Sequence, residues 1–171
     1  MSGCGYWLSP WGWARQRVLR GPAMELVRVR PRRAWCRRCR GTHVLLPVVA
    51  LARRADLAEV IGAALAAKAA GAGCRAIAVV LGRPPDTVRG WLRRFAARAQ
   101  AVRVAFTALL VDTWPDPVLP AAAGSLFADA VAAIVGAAVA VAARWPQLGA
   151  VSPWLAASAV TNGRLLTVSW P

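Results

Sequence analysis

The sequence predicts a mainly α-helical protein with a small N-terminal β-hairpin module resembling a zinc ribbon, a helix-turn-helix bundle and an Ala-rich C-terminal helical segment. Three observations lead to this prediction. Cysteines cluster in a Trp- and Arg-rich stretch before residue 50, and apolar residues recur at helical spacing after it. Charge is also uneven, because residues 1–103 hold 20 of the 22 basic residues and only four of the seven acidic ones. We therefore predict three units, residues 1–50, 51–110 and 111–171.

The first unit is predicted to contain a β-hairpin. Residues 13–20 and 26–33 flank Gly21-Pro22-Ala23, and the second stretch mixes apolar residues and arginines with a rough period of two. Pro31 closes the hairpin, because proline does not fit a central strand.

A C-x-x-C knuckle follows this hairpin, and two thiolates at this spacing can occupy two corners of a zinc tetrahedron. The candidate metal ligands are Cys4, Cys36, Cys39 and His43. In a complete ribbon a cysteine would stand three residues before Cys4, but that residue is Met1, so His43 is the replacement candidate. The alternative is a degenerate ribbon that no longer binds metal.

The N-terminus lacks the pattern of a signal peptide, so we expect a cytoplasmic protein. The cytoplasm is reducing, so the cysteines are expected to be metal ligands or buried thiols rather than disulfides.

The second unit carries the spacing of a helix-turn-helix. The predicted helices are residues 57–70 with Asp56 as the cap, residues 74–81 with Ile77, Val80 and Leu81 facing inward, and a helix that begins near Pro85 and extends as far as Phe106. Gly82 allows the sharp turn between the second and third helices.

The third helix is predicted to present a DNA-binding face over about residues 85–99, which form the predicted recognition helix. Apolar side chains share its other face (Val88, Trp91, Leu92 and Phe95). The candidate DNA-binding residues are therefore Asp86, Thr87, Arg89, Gly90, Arg93 and Arg94. Arg89 and Arg93 lie four apart, as expected of arginines that pair with guanine O6 and N7 in the major groove. The alternative is a solvated basic helix in a bundle.

The net charge of +15 favours a polyanionic partner, and double-stranded DNA is the expected one. Arginines of the first unit add a second basic surface, interleaved with tryptophans, most of which are expected to pack in the core of a small ribbon.

The third unit opens with a linker that contains three prolines, residues 112–120, followed by a long Ala- and Val-rich helix at 121–145 and a small helix around 153–159. The long helix has nearly the length of a membrane span, but it contains Asp129 and is rich in Ala. We expect no membrane partner and a possible homodimer through residues 121–145.

Several runs resemble one known family. These are Trp11-Gly-Trp-Ala-Arg15, Val29-Arg-Pro-Arg-Arg-Ala-Trp-Cys-Arg-Arg-Cys39, Gly41-Thr-His-Val-Leu-Leu-Pro47, Arg53-Arg-Ala-Asp56, Val60-Ile-Gly-Ala-Ala-Leu65 and Thr87-Val-Arg-Gly-Trp-Leu-Arg-Arg-Phe95. Together they resemble an actinobacterial family of helix-turn-helix proteins that is similar to the N-terminal zinc-ribbon and helix-turn-helix region of insertion-element transposases. The resemblance implies DNA binding and two complete cysteine knuckles, whereas here only Cys4 stands in the first knuckle, and Cys74 occupies a position where relatives tend to carry His.

Catalysis is not expected. Seven carboxylates and one histidine are few for a hydrolase, and only 68 residues follow position 103, too few for an RNase H-like catalytic domain. We predict a DNA-binding protein, either a regulator or a transposase-derived module without a catalytic domain, with no small-molecule substrate. The alternative is a zinc-ribbon adaptor that binds a protein partner.

Overall fold

A computed structural model describes residues 5–168 and 170 of the chain, so the candidate ligand Cys4 lies outside the described residues. Within the described residues the chain forms five strands and six α-helices. The strands are β1 (Leu8–Trp13), β2 (Arg17–Arg20), β3 (Leu26–Val29), β4 (Arg32–Cys36) and β5 (Thr42–Leu45). The helices are α1 (Ala58–Ala69), α2 (Cys74–Leu81), α3 (Pro85–Ala96), α4 (Ala99–Thr113), α5 (Leu126–Arg144) and α6 (Pro153–Val160).

The strands form two small antiparallel sheets. β2 and β3 make the predicted hairpin across the Gly21 turn. A three-stranded sheet in the order β1-β4-β5 was not predicted, because β1 pairs with β4 across the whole inserted hairpin. Pro10 is accommodated in β1 because that strand lies at the edge of its sheet.

The β2–β3 hairpin is joined by its backbone to the segment that precedes α1. The amide of Arg20 donates to the carbonyl of Ala55 at 2.8 Å, and the amide of Leu57 donates to the carbonyl of Arg20 at 3.0 Å. The hairpin, which was predicted to belong to a separate unit at residues 1–50, therefore packs on the helical part of the chain.

The helices share one hydrophobic core. Buried side chains of α1, α3 and α4 pack in the same cluster as those of α5, α6 and the C-terminal turn, including Ile134, Trp154 and Leu165. The predicted boundary at residues 110 and 111 therefore does not separate two cores.

α5 runs in the same direction as α4. At the start of the pair, Phe127 of α5 packs edge-on against Phe95, with ring centroids 4.8 Å apart. Phe95 lies at the end of α3, just before α4 begins. At the other end, Arg144 lines the same depression as Asp112. The Pro-rich segment 114–125 returns along the two helices without forming a helix, and its Pro120 lies beside Gly136 of α5.

Two predicted helix limits were wrong. The third helix ends at Ala96 rather than at Phe106, because Arg98 leaves helical geometry (φ −117°, ψ 0°) and α4 begins at Ala99. The long helix begins at Leu126 rather than at residue 121, because the hydroxyl of Ser125 caps it by accepting from the amide of Ala128 at 3.2 Å.

Two side-chain predictions were also wrong. Asp56 does not cap α1, whose N-cap is Leu57, because its carboxylate is buried against two arginines. Val80 does not face inward, since it is 83% exposed and the buried positions of α2 are Ile77 and Ala78.

The apolar face on which the homodimer expectation rests is covered inside the chain. The buried residues of α5, from Ala128 to Ala140, belong to the common core and pack chiefly against α4. α5 also has the length and mean hydropathy, 2.2 over its best window, of a helix that crosses a membrane, although a core helix of a soluble protein meets the same criteria.

Candidate nucleic-acid interface

The turn between α2 and α3 has the geometry that a helix-turn-helix requires. Gly82 ends α2 in the left-handed conformation (φ 61°, ψ 40°), which glycine adopts without a steric penalty. The amide of Arg83 then donates to the carbonyl of Ala78 at 2.9 Å, which completes a Schellman-type cap. Pro85 occupies the first turn of α3, where its missing N–H is not needed.

α3 is fixed by its predicted apolar face. Val88, Trp91, Leu92 and Phe95 are all buried. The thiol of Cys74 also lies 3.5 Å from the carbonyl of Pro85, so the start of α2 contacts the start of α3. These contacts set the orientation of the opposite face of α3.

The six candidate DNA-binding residues occupy that opposite face or its margins. Asp86, Arg89, Arg93 and Arg94 are exposed, whereas Thr87 and Gly90 are half-buried. Arg89 forms an ion pair with Asp86 one turn earlier. Arg94 turns back along the helix and donates from Nη1 to the carbonyl of Gly90 at 2.9 Å.

Gly90 leaves the middle of this face open. A Cβ atom placed there would meet only Nη1 of Arg94, at 2.8 Å, which is the far end of a flexible side chain. The backbone of α3 at Gly90 is therefore covered only by the end of the Arg94 side chain.

A buried ionic network holds the turn, and it was not predicted from the sequence. Arg83 donates from Nε to Oδ1 of Asp56 at 2.6 Å and from Nη2 to the carbonyl of Gly21 at 2.7 Å. Arg20 donates to Oδ2 of the same carboxylate at 2.7 Å. The partners lie 27 and 36 residues from Asp56, so no local pattern signals them. The only sequence signal is a charged residue between Gly82 and Pro84, in a turn that must pack closely.

The arginines of the second predicted basic surface lie on both sheets and on the connections between their strands. The guanidinium of Arg32 stacks over the ring of Trp13 at 4.3 Å, and that of Arg30 lies at 5.8 Å. Trp11 and Trp35 pack with ring centroids 5.9 Å apart. Trp11 and Trp13 are nevertheless exposed, so these tryptophans are less buried than a ribbon core would require.

The cysteine knuckle forms the connection between β4 and β5. Cys36 is buried at the end of β4, and its amide donates to the carbonyl of Gly41 at 3.0 Å. Cys39 Sγ lies 3.9 Å from His43 Nε2, a separation compatible with two ligands of one tetrahedral zinc ion. Within residues 5–168 and 170, no three His, Cys, Asp or Glu side chains form a group that could hold a metal ion, and Cys4 lies outside that range.

Comparison with known proteins identifies one segment. Curated proteins and solved structures gave no match. Residues 52–103, which contain α1, α2, α3 and the start of α4, match the sequence model of a homeodomain-like domain. This domain is typical of transposase helix-turn-helix regions, and its presence suggests DNA binding. The three-helix arrangement and the matched segment agree, so residues 52–103 form a homeodomain-like helix-turn-helix domain.

Proposed function

We propose that this chain is a sequence-specific double-stranded DNA-binding protein that inserts α3 into the major groove. The observation that carries the proposal is the exposed pair Arg89 and Arg93, held on the face of α3 opposite its buried residues. Each guanidinium matches guanine O6 and N7, and Asp86 at the helix start is an acceptor for cytosine N4. Thr87 is assigned a phosphate contact beside the N-terminus of α3.

The biological role is proposed as that of a regulator or of a transposase-derived targeting module in the cytoplasm. No catalytic step is assigned to the chain, because it has few carboxylates and one of them already has a structural role. Asp56 is buried between two arginines. Binding, not turnover, is the activity to be measured.

We also propose that zinc binds the knuckle through Cys36, Cys39 and His43, with Cys4 as the fourth ligand. The approach of Cys39 to His43 supports this set. Bound zinc would stabilise the β4–β5 turn and would thereby fix the positions of the neighbouring arginines.

The test is selection of bound sites from random duplex DNA, followed by gel shifts on the selected site. Arg89→Ala combined with Arg93→Ala should weaken specific binding by at least about 30-fold, since each bidentate contact is worth at least about 1 kcal/mol. The matched control is Arg103→Ala with Arg144→Ala, which removes the same charge from exposed positions outside α3. Equal effects of the two double variants would exclude α3 as the recognition helix.

A second candidate function is that of an adaptor for a protein partner. It is favoured by Val79 and Val80 of α2, which are 81% and 83% exposed beside Met24. Adjacent exposed valines are unusual on a helix that only packs within its own domain. Selection that recovers no DNA sequence, together with a stable protein complex lost in Val79→Ser with Val80→Ser, would favour this function over DNA recognition.

A further inference from the structure

An arginine-lined cleft lies beside the C-terminal end of α3 and shares Arg94 with the recognition face. Its volume is about 840 Å³, within the usual range for ligand sites. Five arginines line it: Arg53, Arg54, Arg94, Arg98 and Arg164. They come from the segment before α1, the junction of α3 and α4, and the C-terminal turn.

Backbone hydrogen bonds bring these three segments together. The amide of Ala52 donates to the carbonyl of Gly163 at 2.7 Å, which places Arg53 and Arg54 beside Arg164. The amide of Thr167 donates to the carbonyl of Arg164 at 2.8 Å and closes the C-terminal turn. Arg98 donates from Nη1 to the carbonyl of Val168 at 2.7 Å. This hydrogen bond joins the α3–α4 junction to the C-terminal segment.

The positive charge of the other four arginines is not balanced by the described residues. The cleft has no acidic side chain among the described residues that line it. The ion pairs found in residues 5–168 and 170 involve other arginines. Burial, and then the charges of Arg94 and Arg53, lower the pKa of Arg54. Its Nε atom is buried without a hydrogen-bond partner.

Arg53 is also held in an unfavourable backbone conformation. Its φ of 59° lies in the left-handed region, which costs a non-glycine residue of this kind free energy. Such strain persists where the surrounding structure requires it, and it is frequent at binding sites. Here it turns two consecutive arginines toward one cleft.

We propose that this cleft is a binding site for phosphate groups. Guanidinium groups bind phosphate oxygens through paired charge-assisted hydrogen bonds, and several of them around one cleft are suited to more than one phosphate. A bound phosphate relieves the repulsion among Arg53, Arg54 and Arg94. The phosphates come either from the DNA backbone beside α3 or from a free phosphorylated molecule. The site itself does not depend on DNA recognition by Arg89 and Arg93.

The first arm of the test is calorimetric titration of the full chain with inorganic pyrophosphate at low salt. Arg164→Gln should weaken binding about tenfold, which is the loss expected for one charge-assisted contact. Arg164 is exposed and lies outside the homeodomain-like segment, so neither the fold nor the recognition helix is disturbed. The matched control is Arg144→Gln, the last residue of α5, which should weaken binding less than about twofold.

The second arm measures DNA affinity against salt for the same variants. If Arg164→Gln lowers the slope of log K against log salt by about one, a backbone phosphate occupies the cleft. If that slope is unchanged while pyrophosphate binding is lost, a free phosphorylated molecule is the ligand. Both results support a phosphate site.

The proposal is overturned if the native chain shows no saturable pyrophosphate binding, or if Arg164→Gln and Arg144→Gln act equally. Arg53→Gln is a second variant, in the segment before α1 that lies beside Arg164, and it should also weaken pyrophosphate binding about tenfold. The Arg89 and Arg93 double variant should retain pyrophosphate binding, so failure of DNA recognition is distinguished from failure of the cleft.

Discussion

Arg83 donates from Nε to Oδ1 of Asp56 at 2.6 Å, and this contact joins the turn of the helix-turn-helix to the segment before α1. Both side chains are almost completely buried. Since Arg20 of the hairpin binds the same carboxylate, one buried aspartate connects three parts of the chain. The orientation of α3 therefore depends on residues of the β2–β3 hairpin that lie far from it in sequence.

Asp56→Ala should lower the free energy of unfolding by about 3–5 kcal/mol, because it leaves the buried guanidinium of Arg83 without its counter-charge. Urea unfolding followed by circular dichroism measures this change. The matched control is Asp86→Ala, which removes the carboxylate of an exposed Asp–Arg pair and should leave stability unchanged within error. Similar losses in both variants would contradict a structural role for the buried pair.

Gly62→Ala should destabilise the protein by about 3 kcal/mol or prevent folding, because a Cβ at this position of α1 would lie 2.0 Å from ring atoms of Trp154 in α6. Thermal unfolding measures the loss. Combining Gly62→Ala with Trp154→Val should cost less than the sum of the two single changes, since the smaller side chain removes the overlap. Strict additivity would mean that α6 does not pack on Gly62.

The parts of the fold set by local chemistry were predictable from the sequence. The bounds of α2 were predicted correctly, because Gly73 and Gly82 flank a short apolar helix and Pro85 favours a new helix start. The burial of Val88, Trp91, Leu92 and Phe95 was likewise confirmed, because helical spacing alone defines that face.

The parts set by long-range contacts were not predictable. The pairing of β1 with β4 crosses an inserted hairpin, and the role of Asp56 depends on arginines 27 and 36 residues away. The partner of α5 was also missed, since an Ala-rich face fits a second copy as well as α4. The arginine cleft could not be predicted for the same reason, because its three segments meet only in the folded chain.

Gly90→Ala should raise the free energy of unfolding by about 0.5–1 kcal/mol and yet weaken DNA binding. Alanine is the better helix former, and its Cβ would contact only the mobile end of Arg94. The added methyl group, however, stands where the backbone of α3 would approach the DNA. Chemical unfolding and gel shifts on one preparation check both effects, and undiminished DNA affinity would show that Gly90 does not face the groove.

Zinc bound at the knuckle should be present at about one equivalent per chain and should be lost in Cys39→Ser and His43→Ala, since a tetrahedral site needs all four ligands. Elemental analysis of purified protein measures it. Cys74→Ser is the control, because that thiol contacts the carbonyl of Pro85 instead. Native protein without zinc would leave the β4–β5 turn supported by its hydrogen bonds alone, and zinc retained in His43→Ala would exclude His43 as a ligand.

Ile134→Asp should unfold the protein, whereas Val139→Asp should be tolerated, although both place a carboxylate on α5. Ile134 is 0% exposed and lies in the common core, so an unpaired charge there is not solvated. Val139 is 63% exposed, so its replacement tests whether anything else covers the outer face of the helix. Circular dichroism reports folding, and light scattering reports mass. If Val139→Asp kept its fold but halved the mass of the particle, α5 would join two copies of the chain. Its inner face would then pack in the core, and its outer face would form the dimer contact.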